Sequence, residues 1–417
     1  MTAGIEGIKR LSAQFDPLSD GYIADPYPHM SEARDLAPVF YSEKLDHWVV
    51  TRYHLIRQVF LDPQTFSASN ANSPVLPPCP AAAKALEDGG FRAVPTLANV
   101  DPPDHTRVRR IANAAFTPKR VAEMESFIRE RVIRFCNERF RAGSADIVRD
   151  LAWELPVLVL FRILGIDDDQ VSRIKEGSWN RILFIYGRPT NEADQIRAAE
   201  GMAAFWRYAE ELIEARTREP QDDFTSALIS ATDEKGEHLT PQQAATVVLN
   251  LLFAGHETTT AILGNAFRRL LGDREAWHAI HADPSLIPNA IEEVLRLDSS
   301  VIAWRRRTTQ ATTIANVPIP PNAKLLLLLG SGNRDSEVFP DPDRFDIRRT
   351  NAKDHLAFGH GVHLCLGRPL ARLQAKVALE EFSARLPGLR LTPDTTLQFP
   401  PNVSFRGPLS LPVVWES

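Results

Sequence analysis

From about residue 103 to residue 280, apolar side chains recur three and four positions apart, the spacing of helices that bury one face. Breaks at Pro118, Gly143, Gly165, Pro189, Pro220 and Gly236 divide this run into several helices. The clearest start is Thr240-Pro241-Gln242-Gln243. Threonine at the N-cap, proline in the first turn and glutamine at the third position form a capping box, which satisfies N–H groups the first turn leaves free. The pattern predicts one continuous helix from there to Leu271, before Gly272-Asp273, roughly 45 Å long at about 1.5 Å per residue. Its middle, Val247 to Ala254, is apolar on nearly every side, so this helix runs through a core rather than along a surface.

Elsewhere the period shortens. Val39-Phe40-Tyr41 and His47 to Thr51 flank a turn at Ser42 to Asp46 and predict an early strand pair. Residues 72–98 hold Pro74, Pro77, Pro78, Pro80 and Pro95 with Gly89-Gly90. They predict a long irregular loop with one short helix, and long ordered loops are often functional. Past residue 300 the pattern gives short strands at 303–308, 312–315 and 323–329, then a proline-rich meander over 335–357. A helix over about 366–386 and alternating strands after 388 close the chain. The expected fold class is mainly α with small β-sheets (α+β). No composition shift marks a linker, so residues 1–417 read as a single domain.

Composition removes several classes of function. The 48 Lys and Arg against 53 Asp and Glu leave a net charge of −5, which gives no reason to expect a nucleic-acid partner. Cys79, Cys136 and Cys365 lie far apart, which excludes a disulfide framework, a four-cysteine zinc site and a [2Fe–2S] cluster held by cysteines alone. The apolar runs are too short to span a membrane, and the N-terminal stretch lacks the apolar region of a signal peptide. A cytoplasmic protein is expected. With 31 prolines against 21 glycines, many short stiff connections are expected.

The most chemistry is gathered in Phe358-Gly359-His360-Gly361-Val362-His363-Leu364-Cys365-Leu366-Gly367. Glycines at 359, 361 and 367 permit backbone geometry that other residues resist. Cys365 falls at the start of the next helix, where free N–H groups favour the thiolate, the form that ligates a metal. A lone cysteine of this kind is more often buried and inert. Zinc on His355, His360, His363 and Cys365 is a further reading, but the spacing lacks the CxxC or HxxxH pairs of zinc sites.

The run fills all six fixed positions of F-G-x-G-x-H-x-C-x-G, and the chain thereby resembles the cytochrome P450 family in its soluble bacterial form. The likeness continues in Ala254-Gly255-His256-Glu257-Thr258, in Glu293 and Arg296 as an E-x-x-R pair, and in Asp101 to Arg110 as a helix entry. The resemblance implies a long central helix crossing haem b, with Cys365 as the iron ligand. Thiolate ligation of this kind favours O–O cleavage. Phe358, with the N–H groups of the glycine loop around Gly367, would tune the sulfur. His105 and Arg109, four apart on one helix face, would meet a haem propionate together with His363 and Arg306. The run Arg305-Arg306-Arg307 leaves that register open by one, because alternate strand residues face opposite ways.

Ala254 and Gly255 are small where the helix would cross the haem. Thr258 lies four residues after Ala254, so its hydroxyl can take that carbonyl and distort the helix locally. Glu257 beside it would be a titratable relay. Glu293 and Arg296 are expected to form a buried structural network with Arg344, in Pro342-Asp343-Arg344-Phe345, where aspartate replaces the family's commoner glutamate.

What the resemblance implies is a haem-thiolate monooxygenase. The alternatives are a peroxide-driven peroxygenase and a haem-binding sensor that activates no oxygen. No G-x-G-x-x-G or Walker A run occurs, so electrons are expected from a ferredoxin or a flavin/iron-sulfur reductase, separate or fused. Arg107, Arg109, Arg110, Lys119, Arg120, Arg368, Arg372 and Lys376 read as an acid-free docking face for it. The 75–97 loop, Phe184, Tyr186, Leu251, Ala254, Val301, Ile302 and Val403 are expected around a small hydrophobic or aromatic substrate.

Overall fold

The computed structural model describes residues 2–188 and 191–416; the break expected at Pro189 lies outside them. Two large apolar cores organise the helices. One gathers Leu160 and Phe161 of α1 (Leu155–Leu164), Ile182 and Ile185 of α2 (Val171–Tyr186), and Phe205 and Trp206 of α3 (Glu192–Arg218). Val247, Val248 and Leu252 of α4 (Pro241–Ala254) complete it. The other joins Leu263 and Phe267 of α5 (Glu257–Gly272), Ile291 and Val294 of α6 (Ile287–Leu297), and Leu379 and Phe382 of α7 (Arg368–Arg385).

The capping box at Thr240 forms as expected, with Thr240 and Gln243 each bonding the other's backbone N–H. The continuous helix does not. It is interrupted at Gly255 and His256, where His256 takes φ −122° and ψ −42°. The Thr258 hydroxyl donates to the Ala254 carbonyl at 2.9 Å, competing with the backbone for that acceptor. The break also falls where the chain leaves one core for the other, since α4 packs in the first and α5 in the second.

A five-stranded sheet flanks the helices. Strand β1 (Val39–Ser42) pairs antiparallel with β2 (His47–Val50), as the early strand pair predicts. The order continues through Lys324–Leu327 and Trp304–Thr308 to Phe66–Ser67. Arg306 stands opposite Leu325 in this register. The loop over 72–98 carries one short helix, Pro80–Asp88. After residue 388 only Arg390–Leu391 and Pro412–Val414 are strands, and Pro400, Pro401 and Pro408 between them withhold ladder donors. No helix among the described residues is long and apolar enough to cross a membrane.

Candidate active site

The cysteine loop is shaped by two glycines at positive φ, Gly359 at +72° and Gly361 at +71°. At Gly361 a side chain is excluded twice, since a Cβ there would lie 2.4 Å from the Phe60 carbonyl oxygen. Gly367 differs from expectation. Its φ of −78° suits any residue, and a Cβ would meet nothing within 4 Å, so the backbone here does not require glycine. The Cys365 N–H donates to the Phe358 carbonyl at 3.0 Å, and the Arg372 guanidinium lies over the Phe358 ring at 4.6 Å. Burial pushes the Cys365 thiol above its ordinary value. The N–H groups of Gly367 and Arg368 and the charge of Arg109 oppose that shift without cancelling it. The start of the helix therefore does not by itself make Cys365 a thiolate.

The other residues expected near this loop converge. His105 and His363 stack with ring centroids 4.2 Å apart. His363 Nδ1 meets the Leu97 carbonyl at 3.1 Å, while His363 Nε2 and both ring nitrogens of His105 are buried without a partner. Burial and then the charge of Arg306 push His363 down to about 3, and burial and Arg109 push His105 down to about 4. Arg306 is buried and makes one hydrogen bond, to the Arg305 carbonyl at 2.8 Å. Arg305 turns away to the carbonyls of Ser73 and Ala71, and Arg307 is exposed, so of the three it is Arg306 whose charge acts on His363 and His105. Arg109 donates to the Leu364 carbonyl at 2.8 Å. The one carboxylate near them among the described residues is Asp101, 4.0 Å from His363 Nε2, so two imidazoles and two guanidiniums face a single anion and keep ring nitrogens free of hydrogen bonds. The zinc reading fails: His355 meets Glu292 at 3.2 Å, His360 meets Arg57 at 3.1 Å, and among the described residues no His, Cys, Asp and Glu group could hold a metal ion.

At the helix break, Ala254 is exposed although Leu252, Phe253 and His256 around it are buried. Glu257 is not a free carboxyl there. It lies 2.9 Å from His256 Nε2 and 3.7 Å from Lys175 Nζ, which reaches in from α2. Burial raises the Glu257 carboxyl, but Lys175 and His256 outweigh it and hold the group down at about 2. Lys175 gave no signal in the sequence, because its partner is 82 positions away on another helix.

Comparison with known proteins agrees with this arrangement. The cytochrome P450 family matches residues 40–386. The chain belongs to the cytochrome P450 family. Among relatives, cytochrome P450 107B1 of Saccharopolyspora erythraea is 35% identical, over 88% of this chain and 89% of that one. The structure of cytochrome P450 CREJ in complex with (4-ethylphenyl) dihydrogen phosphate superposes with a TM-score of 0.93 at 38% identity, covering 97% of this chain and all of that one. An intact type IV self-sufficient cytochrome P450 monooxygenase gives 0.92 at 37% identity, covering 97% of this chain and 53% of that one. The protein is thus an oxidoreductase of the monooxygenase kind, and its cofactor is haem b. The unbonded ring nitrogens of His105 and His363, with Arg109 and Arg306, fit that group, whose two propionates would need such donors.

The buried network of this P450 has two of its three expected members. Glu293 and Arg296 are fully buried and bidentate, at 2.7 and 2.9 Å. Arg344 is not the third. Its side chain is exposed and pairs with Asp346, and only its backbone carbonyl joins, accepting from Arg296 and Arg349. The third member is Arg349, whose Nε meets Glu293 Oε1 at 3.0 Å. Both arginines lie in the same meander, five residues apart, so sequence position alone could not choose between them.

The docking face also needs correction. Six of its eight cations are paired: Arg107 with Asp233, Arg110 with Glu234, Lys119 with Glu123, Arg120 with Asp222, Arg372 with Glu292, and Lys376 with Glu125 and Glu380. Arg109 and Arg368 have no such pair and meet the carbonyls of Leu364 and Cys365. They line a hollow of ≈ 560 Å³ with Phe116, Leu366 and Leu373.

Of the residues expected around the substrate, Ile302 and Val403 belong to a separate apolar core with Met30 and Leu328. Tyr186 is buried in an aromatic group with Phe253, Trp304 and Phe405. Arg181 and Asn250 are not among the expected residues, whereas Thr96 belongs to the expected 75–97 loop. Arg181 Nη2 donates to Asn250 Oδ1 at 2.7 Å, and Asn250 Nδ2 donates to Thr96 Oγ1 at 3.0 Å.

Proposed function

We propose that residues 1–417 form one haem-thiolate monooxygenase domain that inserts one oxygen atom of O2 into a small organic substrate with an apolar body. The observation that carries this reading is the pairing of two features: a cysteine loop ringed by anion-seeking groups, and a helix broken beside an exposed Ala254. Cys365 is the proposed iron ligand, with Phe358 and Gly367 shaping its surroundings. His105, Arg109, Arg306 and His363 hold the propionates. When bound, haem iron supplies the reductive activation of dioxygen.

The protein's own part is to leave room and to handle protons. Ala254, without a longer side chain, keeps the gap at the helix break open. The Thr258 hydroxyl faces that gap and donates to the Ala254 carbonyl, which anchors its orientation. Glu257 is held ionised by Lys175 and His256, so it has no proton to give in this arrangement. Loosening of the Lys175 contact would raise the carboxyl towards its ordinary range, where it can pass a proton from solvent to Thr258. A sensor needs neither group. Thr258→Ala is expected to leave haem content and substrate affinity intact. Product formed per reducing equivalent should fall on the order of tenfold or more, with peroxide released instead, because positioned proton transfer contributes ~10²–10⁴-fold to the assisted step. An unchanged ratio would remove Thr258 from the proton path.

Electrons come from a ferredoxin or a flavin/iron-sulfur reductase, separate or fused, and the hollow beside Arg109 and Arg368 is the proposed entry. The surrounding charge is largely neutralised, so reduction is expected to slow only modestly between low and high salt. The size of the CREJ ligand supports an alkylated aromatic substrate body, and the short apolar runs support a cytoplasmic location. The experiment that tests the whole reading is turnover of the purified protein with O2 and a reducing system, set against hydrogen peroxide alone. Product with peroxide alone at an equal rate would favour the peroxygenase.

A further inference from the structure

We infer that the substrate of this P450 carries an anionic head, a carboxylate or a phosphate monoester, which is received by the Arg181 guanidinium at the wall of the substrate space. The inference rests on the monooxygenase reading above and adds the chemical class of the ligand.

Eight arginines among the described residues are buried. Arg296, Arg349 and Arg334 pair with carboxylates. Arg34, Arg305 and Arg406 spread two or more hydrogen bonds over neighbouring oxygens. Only Arg181 and Arg306 have no carboxylate pair and a single hydrogen bond each. Arg306 is accounted for by the cofactor. Arg181 is left. Its Nε is buried without a partner, and its guanidinium otherwise rests 4.9 Å from the centre of the Phe253 ring. A buried cation with one neutral hydrogen-bond partner and one aromatic face is unfavourable unless an anion completes it.

The position of the group says what that anion belongs to. Asn250 precedes Ala254 by four residues, so both lie on one face of α4, about one helical turn of 5.4 Å apart. Thr96 fixes the Asn250 carboxamide by accepting from Nδ2, which turns Oδ1 towards Arg181 and points the guanidinium to this face. An anion held by Arg181 therefore sits about one turn from the gap at Ala254. An apolar body fills the distance between them, against Leu251 and Phe253. Burial depresses Arg181 from its ordinary value, in keeping with a site that gains from an added negative charge.

The test is calorimetric titration of the haem-loaded protein with matched probes: a para-alkyl benzoate and its amide, and a para-alkyl phenyl phosphate and the free phenol. The anion of at least one pair should bind more tightly than its neutral match, and the tighter anion identifies the head group. Arg181→Met should weaken that anion by about thirtyfold or more while leaving the neutral probes within a few-fold, since truncating one partner of a desolvated charge pair has effects of that size. Arg181→Lys should keep a reduced preference for the anion. Arg181→Met removes an unpaired buried charge, so its melting temperature should equal or exceed the wild-type value. Equal binding of anions and neutral matches by the wild type, or an anion preference that survives Arg181→Met, would overturn the inference. The carbon monoxide spectrum of the same samples separates this outcome from failure of the monooxygenase reading, which would show as a missing thiolate band whatever the probes do.

Discussion

Cys365→His is expected to abolish the red-shifted carbon monoxide band of thiolate-ligated haem, while Cys79→Ala and Cys136→Ala retain it in full. The three cysteines occupy different environments. Cys136 lies in the apolar core with Phe135 and Phe140, and burial pushes its thiol up to about 12, which disfavours ligation. Cys79 precedes the short helix in the 72–98 loop, and its N–H donates to Gln195. Cys365 alone stands in the two-glycine loop, with the N–H groups of Gly367 and Arg368 and the charge of Arg109 directed at its sulfur. The check is the difference spectrum of the reduced, carbon monoxide-treated variants. A thiolate band persisting in Cys365→His would mean that another residue holds the iron.

Glu293→Ala is expected to destabilise the fold by about 3–5 kcal/mol, because it strands two buried guanidiniums at once. Arg349→Ala should lose a comparable amount. Arg344→Ala should lose no more than about 1 kcal/mol, since it breaks only an exposed pair with Asp346. Denaturant unfolding of the three variants, with haem content recorded alongside, measures the contrast. Equal losses for Arg344→Ala and Arg349→Ala would contradict the placement of Arg349 in the network.

That contrast shows where sequence reading stops. The Thr240 capping box, the strand pair at Val39 and the cysteine loop were legible because each is decided by residues a few positions apart. The E-x-x-R pair was legible for the same reason, being i and i+3 on one helix. Its third member was not: Arg344 and Arg349 lie five positions apart in the meander, and the backbone path between them decides which guanidinium turns inward. Lys175 and Arg181 were missed because their partners, Glu257 and Asn250, come from another helix. Ile302 and Val403 were placed at the substrate because apolar character alone does not separate a cavity wall from a core. The predicted helix over 240–271 failed at one point only, and the hydroxyl responsible was visible in the sequence.

The broken helix also bears on how this protein responds to engineering. Between Ala254 and Thr260 the chain carries an imidazole, a carboxylate and three hydroxyls, with the Lys175 ammonium reaching in, where an apolar, uninterrupted helix would be easier to stabilise. Substitutions such as His256→Leu or Thr258→Val belong to the class that raises heat tolerance while removing function. A library screened for thermal survival alone will therefore enrich sequences that repair this segment and discard the chemistry, so turnover has to be part of the selection from the first round.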